Sequence, residues 1–336
     1  MTSPRVVGRL APSPTGQLHL GHARSFVLAW WAARASAGRV ILRIEDLDGT
    51  RADSRFVDLA RQDLEWLGLD WDEEHLQTDT LERLDTAIAT LIAQGKAYPC
   101  VCSRGDIKRA QSAPHADDFR EVYPGTCRGR YASVVEAEAA TGKPAGVRFL
   151  VPSGVTKFRD RVAGTRAQDV AKEVGDFLIA KRDGAPAYQL AVVVDDHLQG
   201  VTQVVRGDDL LDSTPRQILL HQALQYDLPE YAHVSLVVDE HGERLAKRAD
   251  SLSLEALRVA GVSAERVITW IAETAGMGVR RAAQAMNPPQ SAAQRSRQRG
   301  SFHGNARDHL EAFDFGNLPR EPIVAPDLAS LKGASD

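Results

Sequence analysis

Two histidines near the start of the chain, His19 and His22, have the spacing to bind a nucleotide. Pro12, Pro14 and Gly16 break the preceding apolar segment, and a helix-like run follows. Side chains three residues apart at a helix start point the same way, and imidazoles donate hydrogen bonds to phosphoryl oxygens. Free N–H groups at a helix N-terminus also favour phosphate. On spacing alone, a proline-rich turn with surface histidines is the commoner explanation, because short Gly and His motifs often occur by chance.

A second candidate for phosphate binding begins at Arg244. This arginine, Lys247 and Arg248 present three cations on a loop that follows an apolar strand. Such a loop can close over a triphosphate and stabilise the charge that grows as pyrophosphate leaves. Taken alone, a run of this kind is more often a solvated surface.

The three cysteines of the chain indicate a local metal site. All lie between Cys100 and Cys127, with Cys102 close to the first, and an odd number of cysteines argues against a disulfide framework. Zinc in a structural site takes four ligands, and chemistry alone nominates His115 as the fourth. The alternative is that the thiols are simply buried hydrophobic groups.

The elements that would position these residues alternate between strand and helix, which predicts an α/β fold with a parallel sheet. Strands are predicted at 6–10, 40–44, 146–151, 177–181, 188–195, 201–206 and 233–238, with a turn at Asp183-Gly184 before the fifth. Helices are predicted from Leu20 to Gly38 and at 54–67, 81–94 and 214–225.

Composition narrows the class of protein further. A length of 336 residues corresponds to about two or three domains. The formal net charge of -4 gives no support for nucleic-acid binding through overall charge, so a polyanion site must be a local patch. Neither a signal peptide nor a run of about 18 apolar residues is visible, which predicts a cytoplasmic protein with no membrane contact. The segment 280–307, with six arginines and no acidic residue, is predicted to be flexible.

Together, the two phosphate-binding candidates resemble the signatures of class I aminoacyl-tRNA synthetases. The "HIGH" signature corresponds to His19-Leu20-Gly21-His22 and the "KMSKS" signature to Arg244-Leu245-Ala246-Lys247-Arg248. Two further motifs, Arg9-Leu10-Ala11-Pro12-Ser13-Pro14-Thr15-Gly16 and Arg43-Ile44-Glu45-Asp46-Leu47-Asp48, resemble the glutamyl and glutaminyl branch. The resemblance covers residues 5 to about 258. Since Arg and Lys are not equivalent phosphate ligands, we assign the essential role to Lys247 and an auxiliary one to Arg244.

The resemblance implies a domain organisation. A Rossmann-like parallel-sheet core is expected at 1–96 and 186–252, with an inserted zinc-binding, acceptor-like domain at 97–185. A short helical tail that resembles a stem-contact region is expected at 253–336. Only 88 residues follow Arg248, too few for the anticodon-binding domain of a full glutamyl-tRNA synthetase. The chain therefore resembles the truncated members of that branch.

Those truncated members activate L-glutamate with ATP and Mg²⁺ and esterify it to queuosine at the wobble position of tRNA(Asp). The implied catalytic residues are His19, His22 and Lys247, and the implied ATP-binding residues are His19, Gly21, His22, Arg244 and Lys247. The implied glutamate-binding residues are Arg9, Leu10, Ala11, Pro12, Ser13, Glu45, Tyr188 and Arg206. The implied ligands of one structural Zn²⁺ are Cys100, Cys102, Tyr123 and Cys127, with Tyr123 preferred to His115. A monomer is expected.

Three other functions fit part of these observations. One is a minimal glutamyl-tRNA synthetase that charges the tRNA 3′ end, against which the missing anticodon domain argues. Another is a nucleotidyltransferase or ligase of a small metabolite. Such an enzyme would share the loop of His19 and His22 but would lack the residues that bind glutamate. The third is a non-catalytic tRNA-binding protein, which would not need His19, His22 and Lys247.

Overall fold

The computed structural model describes residues 6–49, 51–111, 122–245, 252–277 and 304–332. Lys247, Arg248, His115 and residues 280–303 of the arginine-rich segment lie outside these ranges. No helix within the described ranges is both long enough and apolar enough to cross a membrane.

Strands and helices alternate through the first half of the described chain. The strands are β1 (Val7–Leu10), β2 (Arg39–Ile44), β3 (Glu73–Leu76), β4 (Ala97–Cys100), β5 (Gly146–Phe149), β6 (Thr156–Asp160), β7 (Gly164–Gln168), β8 (Leu178–Ala180), β9 (Gln203–Gly207), β10 (Glu230–Val234), β11 (Val237–Val238) and β12 (Ile323–Val324). The α-helices are α1 (Leu20–Arg34), α2 (Ser54–Trp66), α3 (Leu81–Ala93), α4 (Arg104–Gln111), α5 (Val134–Thr141), α6 (Val170–Glu173), α7 (Tyr188–Leu198), α8 (Thr214–Leu224), α9 (Leu254–Val259), α10 (Ala264–Thr274) and α11 (Leu328–Lys332). Short 3-10 helices lie at Gln77–Thr80, Asp208–Ser213, Ala306–Ala312 and Phe315–Asn317.

The central β-structure is parallel over most of its width. On one side β1, β2 and β3 pair in parallel, and on the other β9, β10 and β6 do the same, with β7 as an antiparallel hairpin partner of β6. The Thr202 N–H donates to the Val7 carbonyl oxygen at 3.0 Å, so the start of β9 lies against β1. The carboxyl ends of β1, β2 and β9 consequently meet at one edge, where open α/β sheets bind their ligands.

Helix α1 packs across this sheet and carries the largest buried side chains. Trp30 and Trp31 are fully buried, and their indole N–H groups donate to the carbonyl oxygens of Asp70 and Ala306. The helix ends at Arg34 rather than at Gly38 as predicted. A Cβ on Gly38 would lie only 2.5 Å from the Val6 carbonyl oxygen, so glycine is needed where the chain turns into β2.

The strand predicted at 188–195 is wrong, because the segment forms helix α7. Its consecutive valines, Val192 to Val194, have a strand preference that favoured the prediction. Residues Leu190 to Asp196 are all buried, so neighbouring elements surround most of the helix. Burial of these side chains outweighs the strand preference of the valines. The predicted turn at Asp183-Gly184 is present, with Gly184 at φ 83°, but it leads into a helix.

The predicted insertion, 97–185, contains two kinds of structure. Strands β4, β5 and β8 form a separate antiparallel sheet. Strands β6 and β7, in contrast, belong to the sheet of β9 and β10. Beyond the gap after residue 277, β12 pairs in parallel with β11, and residues 304–332 thus contact the core.

Candidate active site and metal centre

A cavity of about 420 Å³ opens at the carboxyl ends of β1, β2 and β9 and the start of α1. It brings together residues predicted from four separate parts of the sequence. Those in its lining are Arg9, Ala11, Ser13, His19, Gly21, His22, Glu45, Tyr188, Arg206 and Arg244. The other lining residues include Ser25, Phe26, Gly207, Asp209 and Leu236.

The two histidines cap helix α1. Nδ1 of His19 accepts a hydrogen bond from the Gly21 N–H at 3.1 Å, and Nδ1 of His22 accepts one from the His19 N–H at 3.2 Å. This is the reciprocal pattern of a capping box, with imidazoles in place of a hydroxyl and a carboxylate. The two rings stack with their centroids 3.7 Å apart.

The capping bonds fix the protonation of both rings. An Nδ1 that accepts a backbone N–H carries no hydrogen, so the neutral imidazole has its proton on Nε2. Burial lowers the pKa of His19 to about 4, and burial together with the neighbouring His19 lowers the pKa of His22 to about 3. Both rings are thus neutral at pH 7 and offer an Nε2–H donor without a charge.

The wall of the cavity around Arg9 and Glu45 is built on a buried ion network. Asp196 of α7 accepts a hydrogen bond from Nη1 of Arg43 at 2.7 Å and lies 3.7 Å from Nε of Arg9. Glu45, just after β2, lies 3.5 Å from Nη2 of Arg43. Burial alone would raise the pKa of Asp196, but Arg43 and Arg9 outweigh it and hold this pKa below its usual value. Burial raises the pKa of Glu45.

Hydrogen bonds fix the guanidinium of Arg206, near the end of β9, along one of its edges. Its Nε–H donates to Nε2 of His233 at 3.0 Å, and its Nη2 donates to Thr214 Oγ1 at 2.9 Å and Gln217 Oε1 at 2.8 Å. Within the described part of the chain no hydrogen bond engages Nη1. The guanidinium is therefore oriented, with one nitrogen available to a ligand in the cavity.

The charges of this pocket complement an acidic amino acid. Two guanidiniums, those of Arg9 and Arg206, line the cavity together with the Glu45 carboxylate. Glutamate as a zwitterion has one net negative charge, whereas glutamine has none. Two lining guanidiniums can pair with the two carboxylates of glutamate through charge-assisted hydrogen bonds, whereas the neutral side-chain amide of glutamine cannot use the second charge.

Two of the predicted glutamate-binding residues lie outside the cavity lining, whereas Tyr188 and Arg244 reach it from separate elements. Leu10 is fully buried in the core and Pro12 is buried with its carbonyl oxygen bonded to the Glu45 N–H, so neither side chain lines the cavity. Tyr188 opens into the cavity from the first turn of α7. Arg244 donates from Nη2 to Asp209 Oδ2 at 2.7 Å at the rim.

Sequence reasoning missed two members of the network, Arg43 and Asp196. Arg43 stands in one of the recognised motifs, yet nothing local indicates that its side chain is fully buried. Asp196 directly follows the segment 188–195 that was predicted as a strand, so the helix that buries its side chain could not be inferred. A signal was present in both, since a charged residue inside an apolar run must find a partner when it is buried.

The predicted metal ligands meet in a second site. The sulfurs of Cys100, Cys102 and Cys127 lie within 4.8 Å of one another, and those of Cys102 and Cys127 are 3.5 Å apart. Tyr123 Oη lies 3.3 Å from the sulfur of Cys100 and 3.7 Å from that of Cys102. Arg148 donates from Nε to the Cys100 sulfur at 3.3 Å and places its guanidinium 3.9 Å from the Tyr123 ring centre.

These distances fit a tetrahedral zinc ion. With Zn–S bonds of about 2.3 Å, the sulfurs of a tetrahedral site lie about 3.8 Å apart, close to the spacing of Cys102 and Cys127. Burial raises the pKa of the Cys102 thiol to about 12, so this thiol holds its proton tightly when no cation is bound. A bound dication would favour the thiolate, and Arg148 would balance part of the resulting negative charge.

Comparison with known proteins agrees with this architecture. Residues 5–303 match the family model described as tRNA synthetases class I (E and Q), catalytic domain. The Glutamyl-Q tRNA(Asp) synthetase of Symbiobacterium thermophilum is 40% identical over 98% of this chain and 99% of that protein. The Glutamate--tRNA ligase of Aquifex aeolicus is 37% identical over 80% of this chain, but the match spans 56% of that protein.

A solved structure shares the fold. The glutamate-tRNA synthetase of Elizabethkingia anophelis superposes with a TM-score of 0.76 over 98% of this chain and 69% of that one, at 22% identity. The chain belongs to the class I tRNA synthetase family, in the branch of the E and Q catalytic domains, and is a ligase. Within this branch, three relatives that are matched over 86% or more of their own length carry the name Glutamyl-Q tRNA(Asp) synthetase. The prediction of an α/β class I fold is confirmed.

Proposed function

We propose that the protein activates L-glutamate with ATP and transfers it to queuosine at the wobble position of tRNA(Asp). The observation that carries this proposal is the alignment over 98% of this chain and 99% of the Symbiobacterium protein named Glutamyl-Q tRNA(Asp) synthetase, whereas the match to the Aquifex ligase covers 56% of that protein. The two guanidiniums of Arg9 and Arg206 in the cavity lining support glutamate as the amino acid.

In the activation step, an oxygen of the glutamate α-carboxylate attacks the α-phosphorus of ATP. The bond from that phosphorus to the oxygen bridging to the β-phosphate breaks, and pyrophosphate leaves with the electron pair. The Nε2–H groups of His19 and His22 donate to phosphate oxygens, and Arg9 and Arg206 hold the two carboxylates. The reaction then needs positioning and charge stabilisation, without a protein nucleophile.

Two further groups complete this step. Lys247, which lies outside the described residues, would meet the charge that develops on the departing pyrophosphate. Class I synthetases use ATP with Mg²⁺, an ion that usually keeps several waters and binds substrate phosphates, which it would neutralise here.

In the transfer step, a hydroxyl oxygen of queuosine attacks the carbonyl carbon of glutamyl-adenylate. An ester forms, AMP leaves with the bond electrons, and the hydroxyl proton passes to solvent or to the departing phosphate. The open side of the cavity, where Arg244 and Asp209 lie, would admit the nucleoside. Zn²⁺ on Cys100, Cys102, Cys127 and Tyr123 would have a structural role, since protein ligands would then fill all four of its coordination positions.

A minimal glutamyl-tRNA synthetase that charges the 3′ end is the competing function, favoured by the Aquifex match. The test is to incubate the protein with ATP, labelled glutamate and tRNA(Asp) purified from cells with or without queuosine, with tRNA(Glu) as the control substrate. We expect label only on queuosine-containing tRNA(Asp). Equal labelling of queuosine-free tRNA(Asp), or labelling of tRNA(Glu), would contradict the proposal.

A further inference from the structure

Three neighbouring strands place a buried acid, a histidine and an arginine in one row. His233 of β10 is directly opposite Arg206 of β9 in the parallel register, and Asp160 ends β6 on the other side of β10. Asp160, His233 and Arg206 are 1%, 1% and 6% exposed. The row therefore runs from the inside of the sheet to the cavity wall.

The hydrogen bonds of this row have one consistent direction. Arg206 Nε–H donates to His233 Nε2, so this nitrogen carries no hydrogen, and Nδ1–H must donate to Asp160 Oδ2 at 2.6 Å. Burial lowers the pKa of His233, which agrees with a neutral ring. Asp160 also accepts the backbone N–H groups of Val162 and Ala163 at 2.9 and 2.7 Å, which fixes the carboxylate itself.

The consequence for Arg206 is a single orientation. Its Nε is occupied by His233 and its Nη2 by Thr214 and Gln217, so rotation would break bonds to buried partners. A guanidinium that is oriented before the ligand binds loses little conformational entropy in binding a carboxylate. The histidine matters here because only an acceptor at the position of Nε2 can receive the Nε–H.

We infer that His233 and Asp160 are positioning residues that hold Arg206 in place for the α-carboxylate of glutamate. The inference rests on the proposed function, since Arg206 is taken as a ligand of the amino acid. A purely structural role would make the same contacts but would not change the Michaelis constant for glutamate specifically.

The test compares two amides at position 233. The amide of His233→Gln reaches the position of Nε2 and keeps an acceptor for Arg206, whereas His233→Asn reaches only that of Nδ1 and keeps the partner of Asp160. ATP–pyrophosphate exchange is measured with glutamate and ATP varied in turn, and thermal unfolding is followed with and without glutamate. His309→Leu, which changes a buried histidine outside the cavity, controls for general loss of stability.

We expect His233→Asn to raise the Michaelis constant for glutamate roughly tenfold or more and to reduce the thermal shift that glutamate gives. His233→Gln should stay within about threefold of the wild type, and the constant for ATP should not change in either variant. Equal constants for glutamate in the Asn and Gln variants would overturn the inference. No glutamate-dependent exchange by the wild-type protein would instead overturn the proposed function.

Discussion

Replacement of Arg9 by leucine should abolish most of the preference for glutamate over glutamine. Arg9 donates from Nη1 to the Val205 carbonyl oxygen at 3.1 Å and lies 3.7 Å from Asp196. In Arg9→Leu, Asp196 keeps Arg43 at 2.7 Å, so the ion pair that remains still balances the buried carboxylate. The pocket, however, loses the guanidinium that is assigned to the side-chain carboxylate.

The expected size of the effect follows from the bonds involved. A charge-assisted hydrogen bond to the side-chain carboxylate is worth about 1.5 to 3 kcal/mol, and a mispaired buried amide adds a penalty of about 1 to 3 kcal/mol. At about 1.4 kcal/mol for each factor of ten, the wild-type preference should exceed about 10². Loss of the partner of the Val205 carbonyl should also lower the free energy of unfolding by about 1 to 3 kcal/mol.

The assay is ATP–pyrophosphate exchange with each amino acid, reported as kcat/KM. Arg9→Leu should weaken glutamate and leave glutamine nearly unchanged. Arg206→Lys is the matched comparison, since Arg206 is assigned to the α-carboxylate that both amino acids share, and it should weaken both by the same factor. If Arg9→Leu retained the wild-type preference, the assignment of Arg9 to the side chain would be refuted.

Four further outcomes are expected. Because burial lowers the pKa of His19 to about 4 and that of His22 to about 3, the unfolded chain binds more protons between pH 6.5 and about 3, so stability should fall as the pH falls through this window. His19→Asn, which keeps a capping side chain, should flatten that decline in urea titrations; an unchanged slope would contradict the neutral ring. Cys102→Ser should release one zinc ion per chain, and Ser103→Ala should retain it; elemental analysis that finds no zinc in the wild type would remove the metal site. Lys247→Ala should lower the turnover of glutamate activation roughly 10² to 10³-fold with little change in the Michaelis constant for glutamate, whereas unchanged turnover would assign the role to a neighbouring arginine. Glutamate-dependent exchange should proceed without tRNA, and a strict need for tRNA would favour the minimal synthetase.

The residues that sequence alone could place are those whose role is set within a few positions of the chain. His19 and His22 sit where a strand turns into a helix, and the capping geometry that orients them is local. Arg9 and Glu45 lie at the ends of short apolar strands, whose carboxyl ends meet in a parallel sheet. Their convergence in one cavity therefore followed from the predicted fold.

The residues that could not be placed depend on contacts between distant parts of the chain. Asp196 lies on α7, and burial overrides the strand preference of its valines. The link between Asp160, His233 and Arg206 requires the register of three strands and the pairing of β6 with β10, neither of which a single sequence specifies. The partners of Arg43 could not be predicted for the same reason.

The most direct test of the central claim is the position of the glutamate on the modified tRNA. Queuosine-containing tRNA(Asp) is labelled by the protein, cut with a base-specific nuclease, and the fragments are analysed by mass spectrometry before and after mild alkaline release of the ester. The account predicts that the added glutamate is found on the fragment with the wobble nucleoside and is absent from the 3′-terminal fragment. Glutamate on the 3′-terminal adenosine, with the wobble nucleoside unchanged, would contradict it.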